Sequence, residues 1–520
     1  MTKKIQIYDT TLRDGAQGEG ISLSLQDKLA LAKRFDEFGV DYVEGGWPGS
    51  NPKDLAFFKE VKKLKVKRAS IVAFGATRRA NTKVSSDPNI KALLEAGTKT
   101  VAIFGKSWDF HVRKVFGTSL AENLKMIRDS VAYLKSKKLE VIFDAEHFFD
   151  GFQAAPGYAI QCIREAARAG ADLICLCDTN GGSLPHQIAV GVKRARKSVP
   201  APLGIHCHND GGLGVANSIA AVEHGAVQVQ GTFNGYGERC GNANLTTLIP
   251  VLQMKMNFRT LSERQLRKLT EISHYVAEVA NMPIENNQPF AGRSAFAHKG
   301  GVHVNAMLKH AKTYEHMNPA LVGNRRRFLV SELSGKSNVL LKAKELNISL
   351  RKDAPHTKAI LQKLAQLENE GYQFEAAEAS FELLMKKELG RYKKFFKVKE
   401  AEVLTERIGG GSSESRASVK LEVKEEEQAA IEKGDGPVDA LYRSLTQALV
   451  RFYPVIEKIH LTDYKVRVVN SEAGTAAKVR VFIQFQDETD TWSTVGVSEN
   501  IIEASWQALV DAVEYKLLKS

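Results

Sequence analysis

Cysteine is scarce in this 520-residue sequence: there are five, an odd number, with no Cys-x-x-Cys pair. That excludes a disulfide framework and a thiolate zinc site, and leaves Cys162, Cys175, Cys177, Cys207 and Cys240 to be read as reduced, mostly buried thiols. No apolar run approaches the ~20 residues that a membrane-spanning helix needs, so no membrane partner is expected. The opening MTKKIQIYDT has no apolar h-region or cleavage site and lacks the Arg- and Ser-rich character of a transit peptide, so a cytoplasmic location is expected. No Gly-x-Gly-x-x-Gly follows the first strand-like run, which removes the usual dinucleotide fingerprint. SGKS at 334 to 337 has the ending of a phosphate loop, but Val330 stands where the motif needs glycine, and no nucleotide site is assigned. The net charge of +13 comes from lysines spread over amphipathic stretches such as KEVKKLKVKR at 59 to 68 and KKELGRYKKFFKVK at 386 to 399. Without a nucleic-acid motif these read as solvated helix faces, with a smaller role in attracting a polyanionic small molecule.

What is present is a repeat. Over the first 256 residues, eight short β-branched or aromatic runs end in polar residues and are followed by helix-period segments: KIQIYDT, DYVEGG, RASIVAFG, KTVAIFGK, EVIFDAEHF, DLICLCDT, PLGIHCHND and VQVQGTFN. The helical stretches carry start and stop signals, for example a serine before LQDKLALAKRFDEF and Gly39 after it, and Pro156 in the first turn of another with Gly170 at its end. Strand then helix, eight times over, predicts an α/β fold, a parallel (β/α)8 TIM barrel, with an open doubly wound sheet as the alternative.

A barrel places its chemistry at the C-terminal ends of the strands, so the polar tails are read together. His206 and His208 lie two apart on one strand and point the same way, toward the mouth, with Asp210 nearby. Asp14 ends the first strand, which neighbours the last strands in a closed barrel. A carboxylate, two imidazoles and Asn242 from GNANL would suit a divalent Mn, Mg, Zn or Co ion, against the alternative of two hydrogen-bonded core histidines. Arg13 beside Asp14 is placed to stabilise a developing enolate or alkoxide, or else forms an ion pair with Glu44 or another rim acid. Glu146 ends the fifth strand, fit to move a proton or to orient a neighbour. Cys175 and Cys177 lie on the opposite strand face from Asp178 and read as small buried hydrophobes.

From about 257 to 400 the pattern turns helical and less regular. It is interrupted by a His-rich, Gly-containing stretch that carries His303 and Tyr314; an acid-base histidine and a phenol there would act only if the stretch folds back over the mouth. GGGSS at 409 to 413 reads as a hinge into a third region with a weak internal repeat, GDGPVDALYRSLTQAL against VSENIIEASWQALVDA, 63 residues apart. Each copy is a helix preceded by alternating strands, a ββ-plus-α unit of binding or regulatory character. The expected domains are therefore 1–280, a TIM-barrel catalytic domain, 281–408, helical subdomains or linker covering the active site, and 409–520, a C-terminal α+β regulatory domain.

DTTLRDGAQ, IHCHNDGGLGVANS, GYGERCGNANL and GVHVNAM with TYEHM together resemble the metal-dependent acyl-CoA condensing enzymes, the 2-isopropylmalate, homocitrate and citramalate synthases, over nearly the full chain. IFGKSWDFHV, LVGNRRRFLVSELSGKSNV and TVGVSENIIEASWQAL look like the citramalate branch. The resemblance implies that acetyl-CoA is a co-substrate, that its enolate attacks a 2-oxo acid such as pyruvate held on the metal, and that thioester hydrolysis follows. It implies Asp14, His206, His208 and, more weakly, Asn242 as metal ligands, Arg13 polarising the ketone, Glu146 as a catalytic acid, Thr179 contacting the oxo-acid carboxylate, and His303 and Tyr314 in proton transfer and water activation. It also implies a homodimer with swapped subdomains and a C-terminal effector site, for isoleucine in the citramalate branch. Val304 and Asn305 follow His303 where the isopropylmalate branch has Gln-Asp, so that aspartate's role has no counterpart. The competing readings are a 2-isopropylmalate synthase, a lyase on the same scaffold, and a binding protein that has lost catalysis.

Overall fold

The computed structural model describes residues 3–329, 336–345, 350, 355–407 and 413–520. The eight expected strands form one closed parallel barrel. They are β1 (Gln6–Asp9), β2 (Tyr42–Gly46), β3 (Ser70–Ala76), β4 (Thr100–Lys106), β5 (Glu140–Glu146), β6 (Leu173–Asp178), β7 (Leu203–Cys207) and β8 (Gln228–Gly231). β1 pairs with β2 on one side and β8 on the other, so no edge is left unpaired. Such strands are buried on both faces and read as near-continuous apolar runs, which is why all eight were legible.

Side-chain alternation divides the core in two. Inside the barrel, Tyr8, Tyr42, Val72, Ala102, Ile142, Leu173 and Cys175 close the floor beneath the mouth. Outside, the opposite faces of the same strands pack against the helices. Leu25–Phe38 shows how one helix is specified: Ser24 and Asp27 form a capping box, Gly39 stops the helix at φ 98°, and Phe35 stacks on Phe233 with ring centroids 4.9 Å apart.

Residues 1–296 and 317–325 form one compact unit, and 297–316 with 326–520 a second. The second contains the helix Gly301–Lys309, further helices at Pro355–Asn369 and Glu378–Glu388, and two antiparallel three-stranded sheets. Lys397–Arg407, Ser413–Val423 and Glu426–Gly434 are followed by the helix Pro437–Val450; His460–Val468, Val479–Gln486 and Thr491–Ser498 are followed by Ile501–Lys519. The internal repeat is thus three strands plus a helix in each copy, one strand more than expected.

The added strand corrects two expectations. Lys397–Arg407, lying partly in the lysine-rich stretch read as a helix face, pairs with Ser413–Val423 from Val398↔Leu421 to Arg407↔Ser413. Its less polar residues recur with period two on either side of one register shift at Val398/Glu400, as Phe396 and Val398 and then Ala401, Val403 and Thr405, and this overrides its charge. The expected boundary at 409 therefore lies between two strands that pair with each other; residues 409–412 of GGGSS lie outside the described residues, as do Ser334 and Gly335 of SGKS.

Phe35 is fully buried. Phe35→Ala should cost about 3–5 kcal/mol of barrel stability, measured by urea denaturation, without changing the far-ultraviolet circular dichroism of the folded protein.

Candidate active site

Asp14, expected to end the first strand, lies beyond it: β1 stops at Asp9, and Asp14 stands at the entry to the short turn Gly15–Gln17, almost wholly buried. Arg13 braces it: Nη1 donates to Asp14 Oδ2 at 3.0 Å, Nε donates to Glu44 Oε1 at 2.6 Å, and the guanidinium lies 3.8 Å from the centre of the Phe74 ring. Glu44 also accepts from Thr10 Oγ1 at 2.6 Å and from the Tyr8 hydroxyl. Arg13 thus forms the expected ion pair with Glu44 and also lines the mouth cavity.

From β7, His206 Nε2 lies 3.5 Å and His208 Nε2 3.9 Å from Asp14 Oδ2. The three residues offer ligand atoms that all lie within 4.8 Å of one another. His206 Nδ1 faces Gln230 Oε1 at 3.2 Å; an acceptor there keeps the ring proton on Nδ1 and turns the Nε2 lone pair toward Asp14. Burial lowers both imidazoles, and His208, with His206 beside it, falls to about 4, so both rings are neutral, the form that binds metal. Burial alone would raise the Asp14 carboxyl, but the Arg13 guanidinium beside it, with the hydrogen bond from Asn242, holds it well below the ordinary range.

Asn242 reaches the same point on the segment after β8. Gly241, at φ 83°, lets that chain turn where a Cβ would strike the Gly235 carbonyl at 1.9 Å. Asn209 N then donates to Gly241 O and Ala243 N to Cys207 O, so the segment runs as a strap beside the end of β7. Asn242 Nδ2 donates to Asp14 Oδ1 at 3.2 Å, while its own Oδ1 is buried without a hydrogen-bond partner. A carboxylate, two neutral imidazoles and an orphaned amide oxygen are the donor set of a divalent cation, and the residues fit one.

The cavity above this cluster measures about 230 Å³. Trp47, Phe74 and Phe104 form one wall, with ring centroids 5.6 to 5.8 Å apart. Glu146 and Thr179 complete it. Thr179 is held from two sides: its Oγ1 accepts from His147 N at 2.8 Å, and its carbonyl accepts from Arg239 at 2.7 Å. Asp210 lies near His208 as expected but does not join the cluster; its carboxylate is paired with Arg239 at 2.7 and 3.1 Å. His303 and Tyr314 lie in the second unit, exposed and stacked on each other at 4.1 Å. Four cysteines are buried and Cys240 is exposed; all are free, and Cys177 lines the cavity.

The chain matches the HMGL-like family over residues 4–276, a homocitrate synthase post-HMGL domain over 290–371 and a LeuA allosteric (dimerisation) domain over 375–517. It is 52% identical to an (R)-citramalate synthase of Aquifex aeolicus, with 100% of this chain and 99% of that protein covered. A Geobacter sulfurreducens protein of the same name is 53% identical, with 99% and 98% covered. The chain belongs to the (R)-citramalate synthase family. A 2-isopropylmalate synthase of Methanocaldococcus jannaschii is more distant, at 32% identity over 99% of this chain and 95% of that protein. Within its family the chain is a transferase of the acetyl-CoA:2-oxo acid condensing type, and the lyase and non-catalytic readings fall away.

Three functional neighbours escaped the reading of the sequence: Gln230, which orients His206; Lys106, which is ion-paired with Glu146; and the aromatic wall. The signal for the first two was parity, because polar residues recurring on the inward face of a barrel strand need partners there.

His206→Ala should abolish turnover in an enzyme that still folds, whereas Gln230→Leu should raise the metal concentration needed for half-maximal activity by roughly 10–100-fold. Metal titration after chelation checks both; wild-type behaviour in Gln230→Leu would refute the orienting role of the amide.

Proposed function

We propose that this chain condenses acetyl-CoA with pyruvate to give (R)-citramalate and free CoA, acting in the cytoplasm, with Asp14, His206, His208 and Asn242 as the metal ligands. The observation that carries this reading is the convergence of Asp14, His206 and His208, under a neighbouring arginine, at the mouth of the barrel. The acetyl methyl group gives up a proton, and its electron pair bonds to the keto carbon of pyruvate; the former keto oxygen takes up a proton. Water then cleaves the thioester to a carboxylate and CoA. A bound divalent cation of the Mn, Mg, Zn or Co class would supply Lewis-acid polarisation of the oxo acid.

The chain's own groups supply the rest. Arg13 brings a positive charge, fixed by Glu44 and Asp14, to the place where negative charge develops, and so needs no reorganisation during reaction. The Thr179 hydroxyl already accepts a hydrogen bond from His147, which leaves its proton to donate to the pyruvate carboxylate. Glu146 transfers a proton at the acetyl end of the cavity. His303 and Tyr314 take the remaining proton transfer and the activation of water. The three-ring wall favours the small methyl group of pyruvate over a branched chain, a discrimination of about 1–3 kcal/mol per added methylene.

The domain assignment follows the same reading: a catalytic barrel, a subdomain region after it, and a C-terminal regulatory region that binds isoleucine and joins a homodimer. The match to a LeuA allosteric (dimerisation) domain over 375–517 supports the last part.

CoA release should be much faster with pyruvate than with 2-oxoisovalerate, and a chelator should stop it; the opposite substrate order would transfer the activity to the isopropylmalate branch. Ending the chain at Tyr372, ahead of the helix Glu378–Glu388 and clear of the 397–423 hairpin, should remove isoleucine inhibition while measurable condensation persists. Unchanged inhibition in a CoA-release assay would place the effector elsewhere.

A further inference from the structure

We infer that Lys106 is a positioning residue that holds the Glu146 carboxylate in its working orientation; the inference rests on the reading of Glu146 as a catalytic acid. Lys106 and Glu146 close β4 and β5 and are direct cross-strand partners in the parallel register. Alternation points both side chains inward, on the faces that carry Phe104 and Asp144. Lys106 is 8% exposed, so its ammonium has lost most of its hydration, and a buried cation persists only with a partner. Glu146 is that partner. The Phe104 and Phe116 rings lie 5.4 and 5.5 Å from Nζ, within cation–π range, and confine it from two sides.

The strand ends beneath the pair are pinned. Asn123 Nδ2 donates to the Lys106 carbonyl at 2.9 Å, and Ser107 N donates to the Glu146 carbonyl at 3.0 Å. Neither backbone can drift to relieve a poor fit. Glu146 Oε2 faces Lys106, which leaves Oε1 for the reactants. A glutamate side chain has three rotatable bonds, and its usefulness in proton transfer depends on reaching the substrate within hydrogen-bond distance. An ammonium fixed by two rings removes most of that freedom before substrate arrives. His111 and His147 lie beside this corner with ring centroids 4.0 Å apart and planes tilted by 44°, and Asp150 holds His147 Nδ1 at 3.1 Å, so the pair sits within a packed wall.

Kinetics of Lys106→Met, Lys106→Arg, Glu146→Gln and the Lys106→Met/Glu146→Gln double variant test the inference in the full-length enzyme loaded with metal, with circular dichroism confirming that each is folded. Lys106→Met should lower kcat by roughly 10²-fold, with KM for pyruvate changed by no more than about twofold, and Lys106→Arg should recover most of the loss. In the Glu146→Gln background, Lys106→Met should cost little further, because the group it orients is gone. A Lys106→Met enzyme with wild-type kcat, beside an impaired Glu146→Gln enzyme, overturns the role of Lys106 and leaves that of Glu146 standing. Losses that multiply in the double variant also overturn it, since Lys106 would then act by another route. A fully active Glu146→Gln enzyme sinks the reading of Glu146 itself and the inference with it. Should Lys106→Met fail to fold, a Lys106→Arg enzyme as slow as Glu146→Gln would count against the inference, and one near wild type would support it.

Discussion

One buried carboxylate governs the mouth of this barrel. Asp14 has lost its water, and it stays ionised because the Arg13 guanidinium beside it repays the desolvation. Arg13 would itself be an isolated buried cation without Glu44, and Glu44 an isolated buried anion without Arg13, Thr10 and Tyr8. Arg13 is the shared partner of this set, and its removal would strand two buried carboxylates at once. Such a set is a poor way to gain stability, since an apolar replacement of similar shape is often neutral or better. What it provides is a fixed electrostatic shape at the point where an anionic oxo acid must be recognised.

The sequence made the barrel legible and left the wiring of its rim obscure, for different physical reasons. Parallel strands covered on both faces produce unmistakable apolar runs, and helix caps such as Ser24 and Gly39 mark their own boundaries. His206 and His208 were legible because a period of two fixes their common direction without knowledge of neighbours. Gln230 and Lys106 were not, because their partners are set by interstrand register, which depends on the closure of the whole ring. Asp210 shows the limit of proximity in sequence: two residues beyond His208 the chain has left the strand, and its carboxylate answers to Arg239. The strand Lys397–Arg407 was hidden by its lysines, whose charge suggested a solvated helix while the alternation beneath them already had the period of a sheet.

The same register that hides Lys106 also explains how the rim divides its labour. β1 and β7 bring the candidate metal ligands, and β4 and β5 bring the ion pair on the facing arc, so the two reactants can be handled by separate groups of side chains. Thr179, tied both to His147 and to Arg239, connects the loop after β5 to those after β6 and β8.

Asn242 is the one candidate ligand that comes from the chain after β8; it arrives on a strap that returns to bond alongside the end of β7, opposite His208. A cation that engages its amide oxygen would close a ring through the backbone, and occupancy and loop order would become two faces of one equilibrium. Grip on the ion would stiffen the returning chain, and any change that frays that chain would be felt as weaker grip, even at a residue that never touches metal.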